Sequence, residues 1–124
     1  MTGAPLIDRA AVDDLVESIG NEGLRAVLAL FLEESRSHLA IIAEATAPGA
    51  DAGRQERARR AAHSLKSGAG QIGAAALAAA AAAVEQAATD GTSDLVPVIA
   101  ALAERGAATT GELDRMLSAL AQKE

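Results

Sequence analysis

Apolar residues recur along this chain at steps of three and four, and no segment shows the alternation or the β-branched enrichment of a strand, so the pattern predicts an all-α fold. A first helix is expected from about Asp8 to Ile19, with Ala11, Val12, Leu15 and Ile19 inward, stopping at Gly20 as a left-handed cap. Asn21 can cap a second helix to about Thr46, whose single stripe carries Leu24, Leu28, Phe31, Ser35, Leu39 and Ile42 before Pro48 and Gly49 end it. A third begins between Asp51 and Arg54 and runs through His63 towards Gln71, with the turn at Gly73. The fourth, about Ala74 to Thr89, is an alanine run held in register by Leu77 and Val84 and closed by Asp90 and Gly91. The fifth starts near Ser93, tolerates Pro97 in its first turn, and repeats Ile99, Leu102, Gly106, Thr109, Leu113, Met116 and Leu120 as a bundle seam. Gly106 and Thr109 either permit a close helix approach or mark a break.

Short connections favour antiparallel neighbours, so the expected architecture is an up-down-up-down four-helix bundle with the additional short N-terminal helix laid against one end. The 124 residues suit one domain spanning the chain. Phe31 is the one aromatic residue, which makes the core a matter of Ala, Leu, Ile and Val and the helices thin. The absence of cysteine excludes a disulfide framework and thiolate chemistry and fits a cytoplasmic protein. No segment is apolar for long enough to span a bilayer, and a net charge of -6 disfavours nucleic acid, which leaves protein partners.

Candidate chemistry concentrates on the third helix. At about 100° per residue, Ala58, Ala61, Leu65, Ala69 and Ile72 fall roughly 140 to 240° from His63, so the histidine points out of the buried stripe. Arg59, Arg60, Lys66, Ser67 and Gly70 fall within about 60° of it and form a cationic strip with low relief. A neutral imidazole, with a reference pKa of about 6.5, is a good nucleophile near neutral pH. Lys66 and Arg59 would offset the charge of a phosphoryl group, and Ser67, Gly68 and Gly70 would leave room for the recessed active site of a partner.

The segment HSLKSGAGQIG, His63 to Gly73, resembles the signature of the histidine-containing phosphotransfer family: His, any residue, apolar, Lys, Gly or Ser, small, then Gly ten residues after the His. The likeness extends to Leu77, Val84 and Glu85 on the next helix and to the opening LIDRAAVDDLVESIGNEGLRAVLALFLEES, and so to nearly the whole chain. Ser67 stands where many members have Gly. The resemblance implies phosphorylation of His63 at Nε2, charge compensation by Lys66, and Glu85 as acceptor for Nδ1–H, which would leave Nε2 bare for attack. It implies reversible exchange with the aspartate of a response-regulator receiver domain, with Mg²⁺ held by the receiver. A hybrid histidine kinase is the expected source, and the chain a monomeric carrier with no cofactor or kinase activity of its own. The motif is similar also to the amino-terminal domain of chemotaxis kinases; the stand-alone relay is favoured.

Plainer readings stand beside these. His38, with no small residues around it, reads as a solvated histidine. Arg54 and Arg57 read as a soluble helix face, and Arg59 and Arg60 can be that or docking residues. Glu85 can be a surface charge ending an alanine helix, and Gln71 a partner contact or a helix-end cap. Phe31 reads as core, and Val12, Leu15 and Ile19 as packing or as an apolar patch near the histidine. An autophosphorylating kinase would need a glycine-rich nucleotide loop and the His-Glu-x-Arg/Lys-x-Pro signature, neither present. A carboxylate-bridged metal bundle would need inward Glu-x-x-His pairs, whereas Ser35 stands three residues before His38. The alternative function is a non-phosphorylated helical module that docks on a kinase or receiver.

Overall fold

Asp8 has extended backbone, and its Oδ1 accepts from the Ala10 N–H at 3.0 Å, so the chain enters its first helix there. The structure is a computed structural model that describes residues 6–91 and 94–122. Its elements are α1 (Arg9–Ala43), a 3₁₀ turn (Glu44–Thr46), α2 (Ala52–Gln71), α3 (Ala75–Asp90) and α4 (Leu95–Gln122). The two helices expected before Thr46 are the two arms of α1, divided at Gly20, where φ is 75° and ψ 175°. The long arm, α2, α3 and α4 form the four-helix bundle. Each helix packs on its neighbours in the order α1, α2, α3, α4 and back to α1, which is the square arrangement of an antiparallel bundle.

The core follows the stripes. Leu24, Leu28, Phe31, Ser35 and Ile42 are buried on α1; Ala58, Ala61, Ala62, Leu65 and Ala69 on α2; Leu77, Ala81, Val84 and Ala87 on α3. On α4 the seam buries Ile99, Leu102, Gly106, Thr109 and Leu113. The helix runs unbroken through Gly106, where a Cβ would lie 2.7 Å from Leu39 Cδ1, so the glycine allows the long arm of α1 to come close. The start expected near Ser93 lies outside the described residues. Asp94 Oδ1 accepts from the Val96 N–H at 3.0 Å, and Pro97 sits in the first turn, where its missing N–H costs nothing.

Ile19 departs from expectation: it is 44% exposed instead of inward. It ends the short arm just before the break, and its side chain lies over Gly23, whose Cβ position would be 2.8 Å from Ile19 Cβ. Val12 is core, with Leu24, Met116 and Leu120 around it, so the short arm closes the bundle end beside the C-terminal part of α4.

Gly73 fastens that arm to the α2–α3 turn. Its φ is 78°, the Ala74 N–H donates to the Ala69 carbonyl at 2.8 Å and the Gly73 N–H to the Gly70 carbonyl at 3.3 Å, a Schellman ending for α2. The Gly73 carbonyl then accepts from the Asp8 N–H at 2.8 Å. A Cβ there would lie 2.7 Å from Ala11 Cβ and 3.0 Å from Asp8 Cβ. Gly73→Ala therefore combines left-handed strain with overpacking, and is expected to cost about 2–4 kcal/mol in thermal or denaturant unfolding. Gly91 has φ 71° and open space around it, so Gly91→Ala should cost only about 1–2 kcal/mol. Equal losses at the two positions would contradict the docking of the short arm on Gly73.

Candidate functional site

Twelve residues after its cap Asp51, α2 has turned so that Ala61 and Ala62 face the core and His63 faces water; the His63 side chain is 61% exposed. The inward alanines bring α3 close on one flank, and Glu85 of α3 reaches across. Its Oε2 lies 2.8 Å from His63 Nδ1 and its Oε1 2.6 Å from Lys66 Nζ. One carboxylate thus bridges both side chains from a half-buried position.

That carboxylate fixes the ring. An ionised carboxylate can only accept, so the hydrogen sits on Nδ1 and the lone pair on Nε2, on the edge of the ring away from Glu85. The hydrogen bond from Lys66 holds the Glu85 carboxyl below its ordinary range; burial opposes the shift, and the bond from His63 adds to it. A depressed carboxyl pKa stabilises the fold at pH above the ordinary carboxyl range, and the contribution is lost as pH falls through the folded value.

Arg59 and Arg60 lie on the outer face, and their charge is partly spent. Arg59 clamps Glu56 with two bonds, Nε to Oε1 at 2.8 Å and Nη2 to Oε2 at 2.6 Å, and Arg60 Nε lies 3.6 Å from the same Oε2. The hydrogen bonds from Arg59 lower the Glu56 carboxyl, and that carboxylate raises the guanidinium. The open cationic strip read from the sequence is therefore damped by Glu56, which the sequence reading left out. Its signal was there, in acid-to-arginine spacings of three and four on one helix.

The small residues divide. Ser67 is exposed, and Gly70 is exposed with open space where a Cβ would be, so both keep the surface low beside the ring. Gly68 is instead a packing glycine: a Cβ there would lie 3.0 Å from Phe31 Cε1, so it faces the long arm of α1 and not the approach to His63. Gln71 is exposed on the rim of a shallow groove with Val27, Leu30, Phe31 and Ile72. Val27 and Leu30, 36% and 56% exposed, were missed in the sequence because they lie off the buried stripe. They supply apolar surface beside α2. His38 departs from the solvated reading, being half-buried with Nδ1 sealed and without a hydrogen-bond partner.

Among the described residues no group of three or more His, Cys, Asp or Glu is placed to hold a metal ion, and no helix is long and apolar enough to cross a membrane.

Comparison with known proteins adds two findings. A family model described as Hpt domain matches residues 26–123. The crystal structure of histidine-containing phosphotransfer protein B (HptB) from Pseudomonas aeruginosa PAO1 is similar, with a TM-score of 0.79 and 25% sequence identity over 94% of this chain and 97% of that one. A search of curated proteins finds no significant match.

The bridge makes Glu85 a positioning residue with a spectroscopic signature. In Glu85→Ala the neutral ring of His63 is expected to lose its fixed Nδ1–H form and move to the tautomer mixture of a freely solvated imidazole, read by long-range ¹H–¹⁵N correlation spectra. Glu85→Gln, which keeps an acceptor oxygen, should restore the Nδ1–H form. A ring that keeps its tautomer in the alanine variant would refute the assignment.

Proposed function

The chain belongs to the Hpt domain family and is a histidine phosphotransfer protein of a phosphorelay, and from that premise we propose that His63 is the residue that carries the phosphoryl group. The observation that supports this most directly is the bare, outward Nε2, with its ring held from behind by Glu85. The family implies response-regulator receiver domains and histidine kinases as partners in general.

In the proposed step the Nε2 lone pair attacks the phosphorus of a receiver's aspartyl phosphate. The N–P bond forms as the acyl P–O bond breaks, and its electron pair leaves with the aspartate carboxylate. No proton moves, because Nδ1–H stays on the ring, donated to Glu85. The ring becomes a phosphoimidazolium cation, whose charge the Glu85 carboxylate offsets. Lys66, 38% exposed and three residues along the same face, is the cation within reach of the phosphoryl oxygens. The reverse step returns the group to a receiver.

Mg²⁺ at the exchange would belong to the receiver. This chain acts as a carrier without kinase activity of its own: it presents a nucleophile and leaves activation of the phosphoryl group to its partners. A hybrid kinase as donor, a monomeric state and a cytoplasmic location complete the proposal. Ser67, Gly70 and Gln71 would form the low rim a partner covers, with Arg59 and Arg60 at its charged edge.

His63→Gln should abolish labelling by a phosphorylated receiver with helicity unchanged by circular dichroism. Retained acid-labile phosphate on that variant would defeat the assignment, and a wild-type chain that never takes up phosphate would favour a docking module instead. Lys66→Ala is expected to slow transfer about ten- to a hundredfold, the worth of a charge-assisted hydrogen bond to the phosphoryl group, with little loss of stability. An unaltered rate would remove Lys66 from the reaction.

A further inference from the structure

The seam between the long arm of α1 and α2 carries two shallow grooves, one on either side of the level of His63. The first is the apolar one beside Gly68 and Gln71. The second is lined by His38, Ile41, Arg57, Arg60, Ala61 and Ser64. Around α2, Arg60, Ser64 and Arg57 lie about 60, 100 and 120° from His63, on the flank opposite Lys66 and Glu85. The two flanks of the histidine are thus differently furnished. The α3 flank has its cation and carboxylate already paired, whereas on the α1 flank Arg60 leans on Glu56 and Arg57 makes no ion pair among the described residues.

We infer that this second groove is a subsite for a carboxylate side chain on the receiver domain that exchanges phosphoryl with His63; the inference rests on the phosphotransfer reading above. The charge distribution is the first support. The chain has a net charge of -6, yet residues 54–66 carry Arg54, Arg57, Arg59, Arg60 and Lys66 against the single acid Glu56. That acid is committed to Arg59 and shared with Arg60. Arg57 makes no hydrogen bond or ion pair among the described residues, its charge being felt only at longer range by Asp51, and Ser64 is exposed with no side-chain hydrogen bond among them.

His38 is the second support. A proton on its sealed Nδ1 would be a buried donor with no acceptor, so the ring carries its hydrogen on Nε2. The groove therefore offers a guanidinium, an imidazole N–H and a hydroxyl over a floor of Ile41 and Ala61, a set of donors that fits an anion and no cation. Arg57 lies six residues before His63, about 9 Å along the helix axis. A standard interface buries about 800 Å² per partner, a disc of radius about 16 Å, so a protein centred on His63 covers this groove as well as the apolar one.

The test uses the receiver domain of the host that takes phosphoryl fastest from the wild-type protein, with transfer rate followed against receiver concentration at low and raised salt. Arg57→Glu is expected to raise the half-saturating receiver concentration about five- to tenfold, to leave the saturating rate within about twofold, and to flatten the salt dependence. Arg54→Glu makes the same change of charge on α2 outside the groove and should do much less. Equal effects of the two substitutions, or none from Arg57→Glu, would overturn the subsite. Labelling of the wild-type protein by phosphoramidate, which needs no docking, tests the underlying reading separately. No phosphohistidine there overturns phosphotransfer itself, whereas phosphohistidine with Arg57→Glu equivalent to Arg54→Glu overturns only the groove.

Discussion

One carboxylate spans two helices at the site, and it can do so because those helices meet through methyl groups. α2 presents Ala58, Ala61, Ala62 and Ala69 to its neighbours and α3 answers with Ala81 beside Leu77 and Val84, all buried. Interaxial distance follows the side chains at the contact, and alanine places it at the short end of the usual 8–10 Å or so. At that spacing a glutamate rooted on α3 reaches both a ring nitrogen and an ammonium on the outer face of α2. Bulkier contact residues would move α3 outward and leave the imidazole as an ordinary solvated side chain. The near absence of aromatic residues is therefore a condition for the chemistry as well as a feature of the core.

The scaffold and the site draw on different interactions. The scaffold is held by burial of the stripes and by the turn at Gly73, where the Schellman ending of α2 and the start of α1 share one residue. The site is held by partly exposed charged pairs, which are worth about 0.2–1 kcal/mol each. Contacts so weak can be exchanged at the surface without disturbing the bundle. A relay needs that separation, because the same face must be occupied and vacated repeatedly.

Helical periodicity made the bundle legible. The stripes on α1, α2 and α4 follow from spacing alone, as do the break at Gly20 and the turn at Gly73, since glycine punctuates helices for backbone reasons that leave a mark in the sequence. Periodicity gives the angle of a residue around its own helix but not what stands opposite. So Gly68 reads as open surface until Phe31 is found against it, His38 reads as solvated until the α1–α2 seam half-covers it, and Val27 and Leu30 go unnoticed off the stripe. The pairing of Arg59 with Glu56 is legible locally, as an acid three residues before an arginine on one helix. The reach of Glu85 to both partners depends on the α2–α3 distance, which no single-helix pattern contains.

The lowered Glu85 carboxyl keeps an acceptor in place behind the ring of His63. An ordinary glutamate changes charge at about pH 4.3, and the hydrogen bond from Lys66 pushes Glu85 further down. Around neutral pH Glu85 is therefore ionised and its oxygen accepts. The neutral ring then keeps its hydrogen on Nδ1, facing the carboxylate. Lys66 thus helps to hold the orientation of the ring from a position three residues away on the same helix.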